Sequence, residues 1–599
     1  MKPEVRIGGA CGYWGDSAEA PRQLVEKGDV DYLVFDYLAE VTMSILVRAK
    51  AADPEKGYAL DFVSRVMVPL LPEIRRRGIK VVVNAGGVNV SACALALTKE
   101  AKKLGITLKV GTVEGDDLLP REAEIREKNI TEMFSGKPLP KKLSSANAYL
   151  GAFPIAAALD AGADVVVTGR CVDSAVTLGI LIHEFGWGVD DYDRLAAGTL
   201  AGHILECGAQ ATGGNFSDWS DVAADWEDMG YPIAVCRPDG VFEITKPPGT
   251  GGLVSRLSVG EQILYEIGDT RAYVMPDVIC DFSQVKLDDV GQNRVVVTGA
   301  RGGAPTRFYK VSATHHDGYR STAITLITGF DAVAKARRYG EAIIARTRRI
   351  FAERGMGNYT QTAVHIIGAE TLWGENRTER AEEAREVVAQ IEVRHSDRNA
   401  IEMFSREVTG VALSMTTGRA GVGAAGRPEV TPVIAQFAFL IEKSAVVPIV
   451  RIDGQDVGQS ILMPAFFSDA RIPEPSMGPA CLSDEREMVN VPLMRIAVAR
   501  SGDKGNSANV GVMARRPEFY DTLCRELTPE RVKQYFNHVT KGTVHVFPAP
   551  GFDAINVLMH ESLGGGGTSS LNLDKLGKTY GQQILAMSVR VPAVLMNQS

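Results

Sequence analysis

The chain has 599 residues, 45% of them hydrophobic and 23% charged. That is the mix of a soluble folded protein, and it excludes wholesale disorder, collagen and coiled coil. Sixty-five basic against 73 acidic residues give a net charge of −8 and a pI near 5.8, so nucleic acid is not an expected partner. At roughly 150 residues per folding unit the length calls for about four units, or fewer large ones. Eight scattered cysteines with no Cys-x-x-Cys pair argue for reduced thiols and against structural zinc. The first residues lack the apolar core of a signal peptide. The longest apolar run, Ala148–Leu159, spans twelve residues, short of the ~18 a membrane span needs. A cytoplasmic protein with no membrane partner is expected.

Val5–Ala10, Tyr32–Asp36, Lys80–Ala85, Leu108–Val113 and Asp164–Thr168 are continuous apolar runs, the pattern of strands covered on both faces. Helical stretches such as Ala20–Lys27, Leu60–Arg77 and Ser91–Leu104 separate them, so βαβ units and a largely parallel sheet with helices on both faces are predicted: an α/β fold. A possible division into two subdomains falls near residues 190–250. Ser258-Val-Gly-Glu261 fits a capping box and predicts a helix over Glu261–Ile267. Strands are expected at Val295–Thr298, Thr306–Ala313 and Ile391–Arg394. A long amphipathic helix is expected at Ala332–Arg354, its basic outer face read as solvated. Three prolines and a glycine in Arg471–Pro479, then charged Ser483–Glu487, mark a boundary near residue 488. Strands at Met494–Ala499, Thr543–Phe547, Ala554–His560 and Ile584–Val591, with helices at Pro517–Leu527 and Pro529–His538, predict a small α+β domain over 488–599, with a ferredoxin-like arrangement leading. Gly564–Gly567 reads as a flexible loop.

Polar residues and glycines follow the strands of the α/β half: Gly8–Asp16, Asn84–Asn89, Glu114–Asp117 and Gly169–Ser174. Ligands of open parallel sheets bind at the carboxyl ends of the strands, so Asp16, Asn84, Glu114, Asp116, Arg170 and Asp173 are expected around one cleft. The competing reading is that such residues serve turns and helix caps. No dinucleotide fingerprint follows the first strand, and Gly421–Gly426 matches one in the wrong context. There is no Walker sequence, His-Glu-x-x-His or Gly-x-Ser-x-Gly elbow. Gly249–Gly252 would suit an anion through backbone amides. In His203-Ile-Leu-Glu-Cys207, a helix sets His203 and Glu206 on one face, suiting a general base, part of a metal site or a packed histidine. His315–Gly318 reads as a polar turn. Arg500–Asn509 is placed after a strand and before a helix, with Arg500 and Lys504 suited to a phosphate or carboxylate and Asp503 to orienting them. A capped turn with a local ion pair is the alternative.

Several of these segments together carry a resemblance: Ile7–Asp16, Val83–Asn89, Thr168–Ser174, Gly198–Gly208, Gly213–Phe216, Pro248–Gly252 and Tyr265–Asp269. They resemble the acyclic terpene utilisation AtuA family, and Arg500–Asn506 resembles the signature of the ferredoxin-like domain that follows in longer members. Serine at 501 stands where threonine or another small residue is usual. The resemblance implies catabolism of acyclic terpenes or branched acids through acyl-CoA thioesters. A hydratase, dehydratase or lyase step is the leading expectation, and a non-catalytic acyl-CoA-binding subunit of a carboxylase-type complex is the alternative. Hydration of an enoyl thioester needs a group to handle water and donors to polarise the carbonyl. Glu114, Asp116, Asp173, His203 and Glu206 are the candidates for the first. The glycine loops, with Gly9, Gly12 and Gly251, are the candidates for the second, while Asp16, Asn84, Asn89, Arg170, Arg500, Asp503 and Lys504 would bind substrate. No cofactor is expected beyond the coenzyme A of the substrate, with a divalent metal for lyase chemistry as the lesser alternative, and a homo-oligomer is the default.

Overall fold

The structure, a computed structural model, describes residues 2–421, 426–458, 467–468 and 487–596. The proline-rich segment 471–479, residues 483–486, Cys481 and most of 421–426 lie outside that set. Five parallel strands form the centre of the first sheet: β1 (Val5–Gly9), β2 (Tyr32–Phe35), β3 (Lys80–Val83), β4 (Val110–Glu114) and β5 (Val165–Thr168), side by side in the order β1-β2-β3-β5-β4. Alternation sends Val82 and Val166 to one face and Val81, Val83, Val165 and Val167 to the other. Both faces are covered, which is why these strands read as unbroken apolar runs. Helices α1 (Glu19–Lys27), α2 (Val68–Arg77) and α3 (Val90–Lys103) pack on one face, and α4 (Phe153–Asp160), α5 (Ala175–Phe185) and α6 (Tyr192–Leu205) on the other.

Antiparallel strands extend this sheet across the 190–250 region without a break. β6 (Ile233–Cys236) pairs with β1, and β7 (Phe242–Thr245), then Arg294–Thr298 and Lys286–Gly291, follow outward. Helix α7 (Arg256–Leu264) starts earlier than expected. Ser255 is its cap, accepting from the Ser258 amide at 3.3 Å, while the Ser258 hydroxyl accepts from the Ser255 amide at 3.0 Å. The box is therefore closed by two serines three apart, and Glu261 is left inside the helix, buried. A second sheet is built on one long strand, Phe308–Thr328, with helix α8 (Ala332–Arg354) against it, bounded as the sequence predicts. His315–Gly318 lies within that strand at a bulge, not at its end.

The C-terminal sheet has four antiparallel strands: β8 (Ala497–Lys504), β9 (Ser507–Ala514), β10 (Val544–Ala549) and β11 (Ala554–Met559), ordered β8-β9-β11-β10. This is a ferredoxin-like sheet entered at its edge strand. Helices Tyr520–Glu526, Pro529–Tyr535 and Tyr580–Leu585 cover one face. Residues 580–585 are helical and only Ser588–Pro592 is extended, so the strand expected at Ile584–Val591 is shorter. Likewise 493–495 is a single 3-10 turn before β8. The Arg500–Asn509 segment runs through a hairpin, β8 into β9, rather than leading to a helix, because its polar side chains point into a domain junction instead of water.

The other face of that sheet packs on α7. A Cβ at Gly511 would lie 2.2 Å from Leu264 Cβ, so only glycine allows the approach. Two buried asparagines complete the joint. Asn509 Nδ2 donates to the Leu264 carbonyl at 2.6 Å and its Oδ1 accepts from the Glu266 amide at 2.9 Å. Asn556 Nδ2 donates to the Ile267 and Gly268 carbonyls. The Leu264 carbonyl is one that the end of the helix leaves open, and the Ile267 and Gly268 carbonyls belong to the turn that follows. Asn509→Leu would strand buried polar groups, each costing about 1–3 kcal/mol. The expected result is an earlier unfolding transition in calorimetry, and an unmoved transition would show that the pair does not hold the joint.

Candidate functional site

Neighbouring strands β3 and β5 lead to helices on opposite faces, so the loops after them part and leave a crevice at the carboxyl edge of the sheet. Asp36 and Asn84 follow β2 and β3, while Arg170 and Asp173 follow β5. Asn84 bridges the loops: its Oδ1 accepts from the Tyr37 amide at 2.7 Å and its Nδ2 donates to Asp36 Oδ1 at 2.5 Å. The Arg170 guanidinium, buried, donates to Asp173 Oδ1 at 2.8 Å and lies 4.2 Å over the Tyr149 ring.

The last turn of α6 brings His203 and Glu206 to the same crevice, both buried. The first loop allows this: a Cβ at Gly9 would stand 2.6 Å from the Leu205 carbonyl oxygen, and one at Gly12 3.0 Å from the Cys207 backbone. These two glycines seat the helix end rather than cradle an anion. The His203 ring donates from Nε2 to the Ile263 carbonyl at 3.1 Å, since a carbonyl can only accept. Its Nδ1 stands 3.0 Å from Glu206 Oε1, an ion-pair contact bent away from a straight hydrogen bond. With Nε2 protonated, two lone pairs would face each other there unless the pair holds one more proton. Burial works against His203 as a cation, but the Glu206 carboxylate beside it raises its proton affinity above the usual range. Burial, with Asp173 and Glu266 nearby, raises that of Glu206 against the pull of His203. Each partner thus raises or retains the affinity of the pair for a proton at this contact.

The C-terminal domain closes the crevice. Hairpin β8–β9 carries Asp503 and Lys504 to it, and Tyr265, Glu266 and Tyr273 line it from the segment after α7. Lys504 Nζ lies 5.5 Å from the Tyr273 ring centroid. Among the described residues it has no carboxylate in ion-pair range. Lys578 Nζ donates to Glu266 Oε1 at 2.7 Å, to Asp503 Oδ1 at 3.1 Å and to the Tyr265 hydroxyl. Burial opposes ionisation of Glu266, yet Lys578 and Lys504 hold its carboxyl below the usual range. Arg500 is buried under the Tyr265 ring, donating to the Asn215 carbonyl and to Gln210; it ties the domains together behind the crevice. A cavity of about 470 Å³ also opens at the junction, between Arg256, Lys286, Arg516 and Phe552, and none of the crevice residues lines it.

The remaining expected residues sit apart. Glu114 pairs with Arg451 and accepts from the Ser91 hydroxyl at 2.6 Å, joining β4 to its antiparallel neighbour Ile449–Ile452. Asp16 closes its own loop by accepting from the Gly12 amide at 2.9 Å. Asn89 donates to the Pro54 and Lys56 carbonyls. At 249–252, the Gly251 amide donates to the Asp228 carbonyl at 2.7 Å and its carbonyl accepts from the Gly230 amide at 2.9 Å, so Gly251 is tied to the 228–230 segment. Asp116 lies buried beneath Gly169, accepting from Asn147 Nδ2 at 2.8 Å and the Arg170 amide at 2.9 Å, and so shapes the Arg170 loop. Asp36, Tyr273, Glu266 and Lys578 are crevice residues that the sequence reading did not single out. Asp36 was legible only as the polar end of an apolar strand. Among the described residues, no three His, Cys, Asp or Glu side chains form a metal-holding group, and no helix is long and apolar enough to cross a membrane.

A parallel-sheet crevice closed by a permuted ferredoxin-like domain defines a two-part α/β class, and profile comparison gives it a family. Residues 5–452 match the acyclic terpene utilisation family protein AtuA, and residues 491–590 match the AtuA ferredoxin-like domain. The chain belongs to the AtuA family, which is implicated in acyclic terpene utilisation. No curated protein matches it.

Asp116 offers a test of the buried framework. Burial pushes its carboxyl up to about 7 from an ordinary 3.8. The folded protein then keeps a proton that the unfolded chain releases, so stability falls as pH rises from about 4 to 7. Asp116→Asn, isosteric with the protonated acid, is expected to be more stable than wild type above that window and equal to it below. Denaturant midpoints across pH would check this, and parallel curves would refute it.

Proposed function

We propose that this AtuA-family protein catalyses hydration or dehydration of a branched acyl-CoA thioester, with the His203–Glu206 pair moving a proton at the substrate. The observation that carries the reading is this buried pair: a histidine oriented by a backbone carbonyl, its Nδ1 3.0 Å from a carboxylate oxygen, at the edge of a parallel sheet. Such a pair suits general acid–base work near neutral pH. Lys504 supports it as the cation without a carboxylate partner among the described residues, suited to an anionic substrate group. A lyase cleaving a carbon–carbon bond would use the same pair, and product masses distinguish the two.

Purified protein would be incubated with branched enoyl- and 3-hydroxyacyl-CoA thioesters and the products weighed. Gain or loss of one water is expected. Glu206→Gln and His203→Asn should each lower kcat by about 10²- to 10⁴-fold, and Lys504→Met should chiefly raise KM. Thioester binding with every mass unchanged would overturn the enzymatic reading in favour of an accessory subunit. Variants at 203 and 206 with wild-type turnover would remove the pair from the mechanism.

A further inference from the structure

Asp36 sits at the carboxyl end of β2, 8% exposed. Its Oδ1 accepts from Asn84 Nδ2 at 2.5 Å. Among the described residues its second oxygen takes no hydrogen bond. The cation near it, Arg170, donates to Asp173 instead. Asp173, Glu206 and Arg170 surround Asp36, with Cys171 and Cys207 beside them. Three carboxyls in one poorly hydrated crevice do not all ionise. Asp173 has the guanidinium and Glu206 the histidine, while Asp36 has only an amide.

We infer that Asp36 is a second proton-carrying catalytic group: its carboxyl keeps a proton on the oxygen not bonded to Asn84 and delivers it to the oxygen leaving the substrate. This rests on the dehydration reading above. In that direction the His203–Glu206 pair takes the proton from Cα, and the C–H electron pair becomes the Cα–Cβ double bond. The Cβ–O bond breaks, and the hydroxyl leaves as water with the Asp36 proton. Asp36 ends ionised and the pair ends one proton richer, and water returns the proton between them. Hydration is the reverse. Burial, then the Asp173 charge, pushes the Asp36 carboxyl well above the usual range, in keeping with this role. Asp36 and Glu206 would be two carboxyls given different protonation by their surroundings.

An infrared difference spectrum, wild type minus Asp36→Asn at neutral pH, reads the proton directly. A protonated-carboxyl stretch lost in the variant is expected, and its absence would overturn the inference even if the enzyme is active. Asparagine still accepts from Asn84 but has no acidic proton, so kcat should fall about 10²-fold or more, and the alkaline limb of the pH profile should change. Unchanged kcat and pH profile would overturn the catalytic role. Asp36→Ser serves as a second variant, with circular dichroism confirming the fold of each. If wild-type protein turns over no thioester, the proposed function fails and the catalytic role of Asp36 with it; the infrared band then still decides where the proton sits.

Discussion

The site depends on one packing constraint, the seating of the C-terminal sheet on helix α7. Glycine at 511 lets the sheet reach Leu264, and Asn509 and Asn556 satisfy the backbone where the helix stops. That contact sets the register of the β8–β9 hairpin against the crevice. Lys504 and Asp503 thereby stand opposite His203, Glu206 and Glu266, although some 240 to 300 residues separate them along the chain. The crevice alone is rich in carboxyls, and its lysines come from the C-terminal domain.

The Gly564–Gly567 loop adds a second anchor to the same hairpin. All four glycines have positive φ, and the Gly565 amide donates to Asn506 Oδ1 at 2.6 Å at the hairpin tip. Just beyond, the Thr568, Ser569 and Ser570 carbonyls accept from buried Arg320 and Arg394 of the second sheet. Glu392, fully buried, balances Arg320 and Lys575. Removing one partner of such a buried group strands the rest, so the loop is a fastened strap rather than the flexible connection its composition suggests. The hairpin is held from α7 on one side and from the second sheet on the other.

Charge placement follows the same logic. Glu114 and Asp16 are partnered locally and hold strands and loops in place, although they occupy the strand ends where ligand-binding residues are sought. Asp116 is enclosed under a glycine and shapes a loop. The crevice carboxyls divide by partner: Asp173 and Glu266 face cations, while Asp36 has an amide and Glu206 a histidine. Position at the carboxyl edge of the sheet gathers candidate groups, and their hydrogen-bond partners separate framework from chemistry.

By itself the sequence determined the parallel strands, because double-sided burial leaves an unbroken apolar run, and helix Ala332–Arg354, because its length and period admit little else. It determined the His203–Glu206 pair, because a spacing of three on a helix brings two side chains together. Long specific motifs carried the family. Only the tertiary structure decided that Arg500–Asn509 is a hairpin, since its polar residues face another domain and mimic a loop. It also decided the start of α7, where two serines compete as caps within one turn. Asp36 became visible only there: a lone aspartate at the end of a strand has no local signature, and its protonation is set by residues that meet it from β3, β5 and α6.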